Sequence, residues 1–552
     1  MRMLIVFASL AIVPAGAVAQ VAADTARQID KVFAEIDRTD GPGCVLGINR
    51  GAQPLYRRGY GMASLELGVP MNEFSVVESG SVAKQFTAGA IVHLALAGKL
   101  GLDDPVRKYV PELPDYATPI TVRMLLNHTS GIRDMWTLFT LAGQTMGTVL
   151  FNVDQALRMV YRQQELNFPP NSQYLYSNSG YLLLAEIVRR VSGKPLAEYS
   201  AEVFFKPLGM QRTQWRSDWN RIVPGRVTAY GPAGPAGWRV DMPFMSVYGA
   251  GGLLSTVGDM LLWNENLDSP RVGGRAWADS LERRGRLTSG REIDYALGLI
   301  IGRYRNEREI QHTGATGGYR TYLGRLPDRK LSLAVLCNFG SANPEQLAHQ
   351  VADVFLGPRP TTTATTATNE GPAAGDLSGY AGLFRSAATE DYLTVKTQGS
   401  RLVADFGFPV TLTPQGPDRF TSGASSSVTF NRDPAGRVTS LSMVTVDRDT
   451  TIYERSNPPP STAAELAGYA GTYYSPELDV TYTIRAADST LVLQVPGQPE
   501  SSLTRTSRDS FGGPLGTAFR FNRSKANRIE GFLLFAGRVR NLRFTRKWER
   551  RP

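Results

Sequence analysis

Cysteine is nearly missing from this chain: only Cys44 and Cys337 occur among 552 residues, which excludes a fold held together by a disulfide framework. Histidine is almost as scarce, with four copies. No Cys or His cluster has the spacing of a zinc site, so neither a metal nor any other cofactor is expected. Beyond the first residues there is also no long apolar run, so no later segment is expected to cross a bilayer as a helix, which takes about 20 apolar residues.

What is present at those positions is informative. Cys44 lies in Cys-Val-Leu-Gly-Ile and Cys337 in Leu-Ala-Val-Leu-Cys. Both runs read as buried strands, which favours two free thiols; a bridge between neighbouring strands is the alternative in an oxidising compartment. The one early apolar run has the layout of a secretory leader, with Arg2, then Leu4 to Val13, then Ala17-Val18-Ala19 before Gln20. Pro14 and Gly16 interrupt it, and no Cys stands at the cleavage point to take a lipid. A cleaved leader over residues 1–19 and a periplasmic or secreted protein are therefore expected. The formal charge of +10 is a modest excess that suits an anionic cell-wall or membrane surface. Its densest basic stretch, Arg538 to Arg551, alternates Arg540, Leu542 and Phe544 with Asn541, Arg543 and Thr545. That is the pattern of a last barrel strand with one wet face, not of a nucleic-acid site.

A chain of this length, 42% apolar and 20% charged, exceeds a single core and should divide into domains. Between Gly357 and Gly375 the residues are mostly Pro, Thr and Ala, with almost nothing to bury, and residues 358–375 read as a linker. Before it, helical patterns such as Lys84 to Ala97 and Gly180 to Val191 mix with strand-like runs such as Leu331 to Cys337. Residues 20–357 are expected to form one α+β domain. After it, short alternating runs are punctuated by Gly, Pro, Asp and Asn, and the half repeats itself. Leu377-Ser378-Gly379-Tyr380-Ala381-Gly382 returns as Leu466-Ala467-Gly468-Tyr469-Ala470-Gly471, and Phe430-Asn431-Arg432 as Phe521-Asn522-Arg523. Two small antiparallel β-barrels are expected, residues 376–456 and 463–552, with a short linker at 457–462.

The chemistry is concentrated in three places. Glu78-Ser79-Gly80-Ser81-Val82-Ala83-Lys84 leads into an apolar helix. At the helix start the Ser81 hydroxyl sits at the positive end of the macrodipole, and the Ser81 backbone N–H is free to hold an oxyanion. Lys84 lies three residues on, on the same face. To act as a base its pKa must fall from about 10.4 to near 7, a difference of about 4 kcal/mol that burial and a neighbouring dipole can supply. A bare Ser-x-x-Lys is common, and its ordinary reading is a helix cap followed by a solvated lysine. Two further motifs set this one apart. Tyr176-Ser177-Asn178 follows a Pro-Pro-Asn-Ser turn and precedes a helix, so the phenol and the amide can reach a cleft, where a tyrosine can relay a proton. His312-Thr313-Gly314-Ala315 precedes a Gly317-Gly318 turn. On an edge strand Gly314 lets substrate approach, and the N–H of Ala315 completes the oxyanion site. His93, His128 and His349 need only structural roles. The Gly-x-Ser-x-Gly elbow of the α/β hydrolases is absent, which argues against a Ser-His-Asp triad.

Ser81-x-x-Lys84, Tyr176-x-Asn178 and His312-Thr313-Gly314 resemble the three signatures of the penicillin-recognising serine enzymes, which include serine β-lactamases, D,D-peptidases and related esterases. Leu125-Leu126-Asn127-His128-Thr129-Ser130-Gly131 and Gly251-Gly252-Leu253-Leu254-Ser255-Thr256 look like two further markers of the branch closest to the class C enzymes. The resemblance implies an antiparallel sheet flanked by helices, an active site at the junction with an all-helical lobe, and an acyl-enzyme on Ser81. A catalytic domain followed by two lipocalin-like barrels also resembles the layout of bacterial D-aminopeptidases, and Gly131-Ile132-Arg133-Asp134-Met135-Trp136 is similar to a stretch of theirs. In those enzymes a loop of the last barrel enters the cleft. Its counterpart is expected near Val495 to Ser501, with Glu500 or its neighbours joining Thr313 and Gly314 as substrate-binding residues and attracting an ammonium group. The family usually carries Lys where this chain has His312, whose ordinary pKa near 6.5 leaves it mostly neutral at pH 7. The expected substrates are therefore small amides, esters and short peptides with a free N-terminus, including cell-wall fragments. A D,D-carboxypeptidase or weak β-lactamase is the alternative, and a non-catalytic peptidoglycan- or peptide-binding protein is the reading from another class. No nucleic-acid or metal partner is expected, and a homodimer is left open.

Overall fold

The computed structural model describes residues 21–357, 377–407, 409–422, 426–444 and 450–548. The leader expected at residues 1–19 and the linker expected at 358–375 lie outside the described residues.

Apolar, β-branched runs from both ends of the first domain pair into one antiparallel sheet. Its strands are β1 (Cys44–Arg50), β2 (Gln53–Tyr60), β3 (Ile300–Tyr304), β4 (Glu307–Thr316), β5 (Tyr319–Leu326) and β6 (Leu331–Cys337), in the spatial order β3-β4-β5-β6-β1-β2. The helices that bear on the site are α1 (Ala23–Val32), α2 (Lys84–Leu96), α3 (Met135–Leu141), α4 (Asn178–Ser192), α5 (Val257–Asp268) and α6 (Pro344–Leu356). Side chains of a strand alternate between faces, and the two central strands follow the rule. Cys44, Leu46 and Ile48 of β1 join Leu333, Val335 and Cys337 of β6 in a core shared with Ile29 of α1 and Val351 of α6. Val45, Ala334 and Leu336 face the larger core on the other side, shared with α2, α4 and α5. Helix α2 is mostly apolar, presents no separate polar face and runs through that core, buried from Lys84 to Val92.

Cys44 and Cys337 face each other across β1 and β6, their Cα atoms 4.0 Å apart, and form a disulfide. This corrects the expectation of free thiols. Each local run announces a buried strand, but nothing within either run says that the two strands are neighbours in register.

Downstream, the alternating runs close into two eight-stranded antiparallel barrels, one from Gly382–Arg385 to Thr450–Ser456 and one from Gly471–Ser475 to Val539–Lys547. The sequence repeat has a structural cause. In the first barrel the Tyr380 phenol donates to Asp418 at 2.8 Å and Arg432 grips the same carboxylate at 2.8 Å; in the second, Tyr469 and Arg523 each hold Asp509 at 2.7 Å.

The second barrel docks on the first domain beside α3. Arg133 is fully buried there, with Nη1 donating to Glu477 at 2.5 Å and Nε and Nη2 to the carbonyls of Arg540 and Asn541 at 3.0 and 2.9 Å. Asn167 donates to the carbonyl of Arg538 at 3.0 Å and accepts from the Arg540 amide at 2.7 Å. These bonds fix the hairpin between Ile529–Ala536 and Val539–Lys547 against the cleft.

Candidate active site

Ser81 lies in a single 3-10 turn, Gly80–Ala83, that runs straight into α2. β3 pairs with β4 only as far as Gln311, so His312 to Thr316 present a free edge to this turn. Glycine is required on both sides of the contact. A Cβ on Gly80, whose φ is +51°, would sit 2.5 Å from Ala315 N, and one on Gly314 would sit 2.0 Å from the Ser79 carbonyl oxygen. The backbones of Gly80 and Ala315 thus lie against each other at the start of the turn that carries Ser81.

Lys84 is fully buried. Its Nζ lies 2.6 Å from the Ala250 carbonyl oxygen, 2.9 Å from Asn178 Oδ1 and 3.2 Å from Ser81 Oγ. Burial drives its pKa well below the ordinary lysine value, the charge of Arg538 pushes the same way, and Asp134 opposes them. A neutral amine has two N–H donors and one lone pair. Ala250 and Asn178 offer only acceptors and take the two donors, which leaves the lone pair for the Ser81 hydroxyl proton. Asn178 is itself held in place: its side-chain Nδ2 and backbone N donate to Asp134 Oδ2 at 2.8 and 2.7 Å. The other oxygen of Asp134 caps α3, accepting from the amides of Trp136 and Thr137, both at 3.2 Å.

The Tyr176 ring covers the same amine, with Lys84 Nζ 4.7 Å from its centroid. Its phenol oxygen is buried beside the Ser81 hydroxyl. Burial raises the phenol's pKa, against smaller opposing effects of the Ser81 hydroxyl and Arg538. His128 packs on Tyr176 with ring centroids 4.2 Å apart and the planes tilted by 33°, and accepts from the Ser177 amide at 3.1 Å, which fixes the backbone that carries Tyr176. His312 Nδ1 lies 2.6 Å from the Thr313 carbonyl oxygen, so that nitrogen carries the proton, and Nε2 accepts from the Tyr295 hydroxyl at 3.0 Å. Burial, and then the neighbouring Lys84, lower its pKa to about 3. His312 is neutral far below neutral pH, more firmly than its ordinary pKa implied.

Ser81, Tyr176, Asn178, His312, Thr313, Gly314 and Ala315 line a single cleft of about 800 Å³, and Arg538 lines it too. The Arg538 guanidinium carbon lies 4.6 Å from the Tyr176 ring centroid. Among the described residues no carboxylate pairs with it. Glu500 is not brought to the cleft: it is exposed and pairs with Arg485, two strands away in the barrel, at 2.5 Å. The barrel residue that lines the cleft itself is Arg538, in the hairpin turn just after Gly537, and none of Val495 to Ser501 does.

The family model described as Beta-lactamase matches residues 29–355. The chain belongs to the beta-lactamase family. It is similar to the D-aminopeptidase of Cereibacter sphaeroides (strain ATCC 17023), 27% identical over 455 residues that span 81% of this chain and 82% of that one. It is also similar to penicillin-binding protein 4* of Bacillus subtilis (strain 168), 29% identical over 303 residues, 52% of this chain and 66% of that one. Among solved structures, the octameric penicillin-binding protein homologue from Pyrococcus abyssi superposes with a TM-score of 0.57 at 22% identity, covering 78% of this chain and 99% of that one. The D-amino acid amidase from Ochrobactrum anthropi SV3 gives 0.52 at 20% identity, covering 60% and 99%. These two likenesses establish the fold. The chain is a serine hydrolase of the beta-lactamase family, with two closed barrels after the catalytic domain.

Within this beta-lactamase-family site, motif reading misses three contributors. Asp134 stands in the quoted stretch Gly131 to Trp136 but carries no local sign that it orients Asn178. Tyr295 belongs to no motif. Arg538 opens a basic run that reads as a solvated strand, and only the docking of the barrel places it over Tyr176.

Proposed function

We propose that this protein is an exported serine amidase or peptidase, with esterase capacity, acting on small peptides, amides or cell-wall fragments through an acyl-enzyme on Ser81. Neutral Lys84 takes the Ser81 proton as Oγ attacks the substrate carbonyl carbon. The developing oxyanion is held by the amides of Ser81 and Ala315. Tyr176 gives its phenol proton to the leaving nitrogen or oxygen as the bond to the carbonyl carbon breaks and takes in exchange the proton that Lys84 holds, which restores both groups. Water then attacks the acyl carbon, and Ser81 Oγ departs with a proton returned through the same groups. The observation that carries the reading is a fully buried amine, its pKa driven down by that burial, 3.2 Å from the Ser81 hydroxyl. Export is supported by the leader-like start and by the Cys44–Cys337 bridge, which suits an oxidising compartment.

The resemblance to D-aminopeptidases over four fifths of the chain supports amide and peptide substrates. With Glu500 bound to Arg485, recognition of a substrate ammonium by that carboxylate has no support. A second reading, D,D-carboxypeptidase, is favoured by one observation: Arg538 puts a fixed cation in the cleft where His312 supplies none. A panel of D- and L-amino-acid anilides, short esters, D-Ala-D-Ala peptides and a chromogenic cephalosporin separates the two. The test of the shared mechanism is covalent labelling by a fluorescent penicillin or a phosphonate, followed by mass spectrometry. Wild type acquires an adduct on Ser81, and Ser81→Ala loses both adduct and turnover; an unlabelled wild type contradicts the mechanism.

A further inference from the structure

Between α3 and the mouth of the second barrel lies another cavity, of about 350 Å³. Leu493, Phe519 and Leu534 of the barrel and Leu141 of α3 give it an apolar wall. Trp136, Asn178 and Arg538 line both this cavity and the catalytic cleft, so the two spaces meet at one junction. The volume falls within the range of about 300–1,000 Å³ common for small-molecule pockets. The wall is also firmly built. The last carbonyls of α3 are satisfied by the barrel, with Tyr482 donating to Leu141 at 2.6 Å and Gln498 to Thr140 at 2.9 Å.

We propose that this cavity is a subsite for an apolar group of the substrate, an alkyl or aromatic chain joined to the carbonyl that Ser81 attacks. The reading rests on the acyl-enzyme chemistry proposed above. A chain tethered at Ser81 passes between Trp136 and Arg538 and buries its end against Leu493 and Phe519. The second barrel then selects substrates by apolar length, a task that the catalytic domain alone does not perform.

Two ester series test this: p-nitrophenyl esters of straight-chain acids from acetyl to decanoyl, and acetate esters of straight-chain alcohols of the same lengths. The first places the chain in the acyl half of the substrate and the second in the leaving half. In the acyl series kcat/KM rises about two- to fourfold per methylene until the cavity is full, while the alcohol series stays flat; a rise confined to the alcohol series overturns the acyl placement. Val495→Trp fills the cavity from the barrel side, and Leu515→Asp sets a charge at its rim, where the residue is 81% exposed. Each variant lowers the ratio of kcat/KM for the eight-carbon ester over the two-carbon ester by about tenfold or more. Should Val495→Trp fail to fold, Leu515→Asp decides. A flat profile in both series, or a ratio in Leu515→Asp equal to wild type, overturns the subsite while Ser81 labelling and turnover stand. Loss of all turnover together with absence of Ser81 labelling overturns the acyl-enzyme reading and the subsite with it.

Discussion

Lys84 shows how far the site departs from what is best for stability. The unfolded chain protonates this amine below about its ordinary value of 10.5, whereas the folded protein does not until a much lower pH. Between those two values each step down in pH favours the unfolded chain, so the buried amine costs stability across the neutral range. Lys84→Met keeps a similar length without the amine. It should unfold at a higher temperature than wild type at pH 7, show a flatter dependence of melting temperature on pH below 10, and lose about 10²–10⁴-fold in kcat. Calorimetry across pH and steady-state kinetics check it. Arg538 acts on the same group from outside the catalytic domain. Its charge disfavours the protonated amine, so Arg538→Gln should raise the Lys84 pKa and move the acid limb of kcat/KM to higher pH while the alkaline plateau persists. An unmoved limb would mean that solvent screens Arg538 from Lys84 completely. At this scale much was legible from sequence. Ser81, Lys84, Tyr176 and His312 sit in short motifs whose spacing already constrains them. Arg538 does not, because no periodicity near residue 538 refers to residue 176.

Helix α3 joins two tasks through one carboxylate. Asp134 caps its first turn with one oxygen and holds Asn178 with the other. In Asp134→Asn a single amide oxygen must choose between those donors, and the new NH₂ group confronts N–H groups it cannot pair with. The loss should be about 1–3 kcal/mol of stability and about tenfold or more in kcat/KM. A merely structural role would stop there. Removing the negative charge should also lower the Lys84 pKa, since Asp134 raises it, and so move the acid limb to lower pH, opposite in sign to Arg538→Gln. Thermal unfolding and a pH–rate profile measure both. Elements were legible where local composition or alternation is strong, as in the mostly apolar run of α2 and the alternating barrel strands. Their neighbours were not: the pairing of β1 with β6, and with it the Cys44–Cys337 bridge, joins segments whose local patterns are complete without each other.

At the scale of the whole molecule the barrel count was written in the repeat, since Tyr380 with Arg432 and Tyr469 with Arg523 build the same latch twice. The docking of the second barrel was not, because it depends on a contact between Arg133 and Glu477 that no local pattern announces. Both side chains are buried, at 0% and 5% exposure, so each depends on the other for its charge. Glu477→Ala leaves a buried guanidinium without a counter-charge and should cost about 3–5 kcal/mol, whereas Arg133→Met combined with Glu477→Leu replaces the pair by apolar bulk and should recover most of that loss. Stability and activity then part company. Arg133 also donates to the carbonyls of Arg540 and Asn541, which helps to seat the hairpin that carries Arg538 over Tyr176. The double variant lacks those bonds, so its acid limb should lie above that of wild type, toward the position seen in Arg538→Gln, even with its melting temperature restored. If the restored stability brings the wild-type pH profile back with it, the hairpin is seated by Asn167 and the other interface bonds alone, and Arg133 serves only to hold the two domains together.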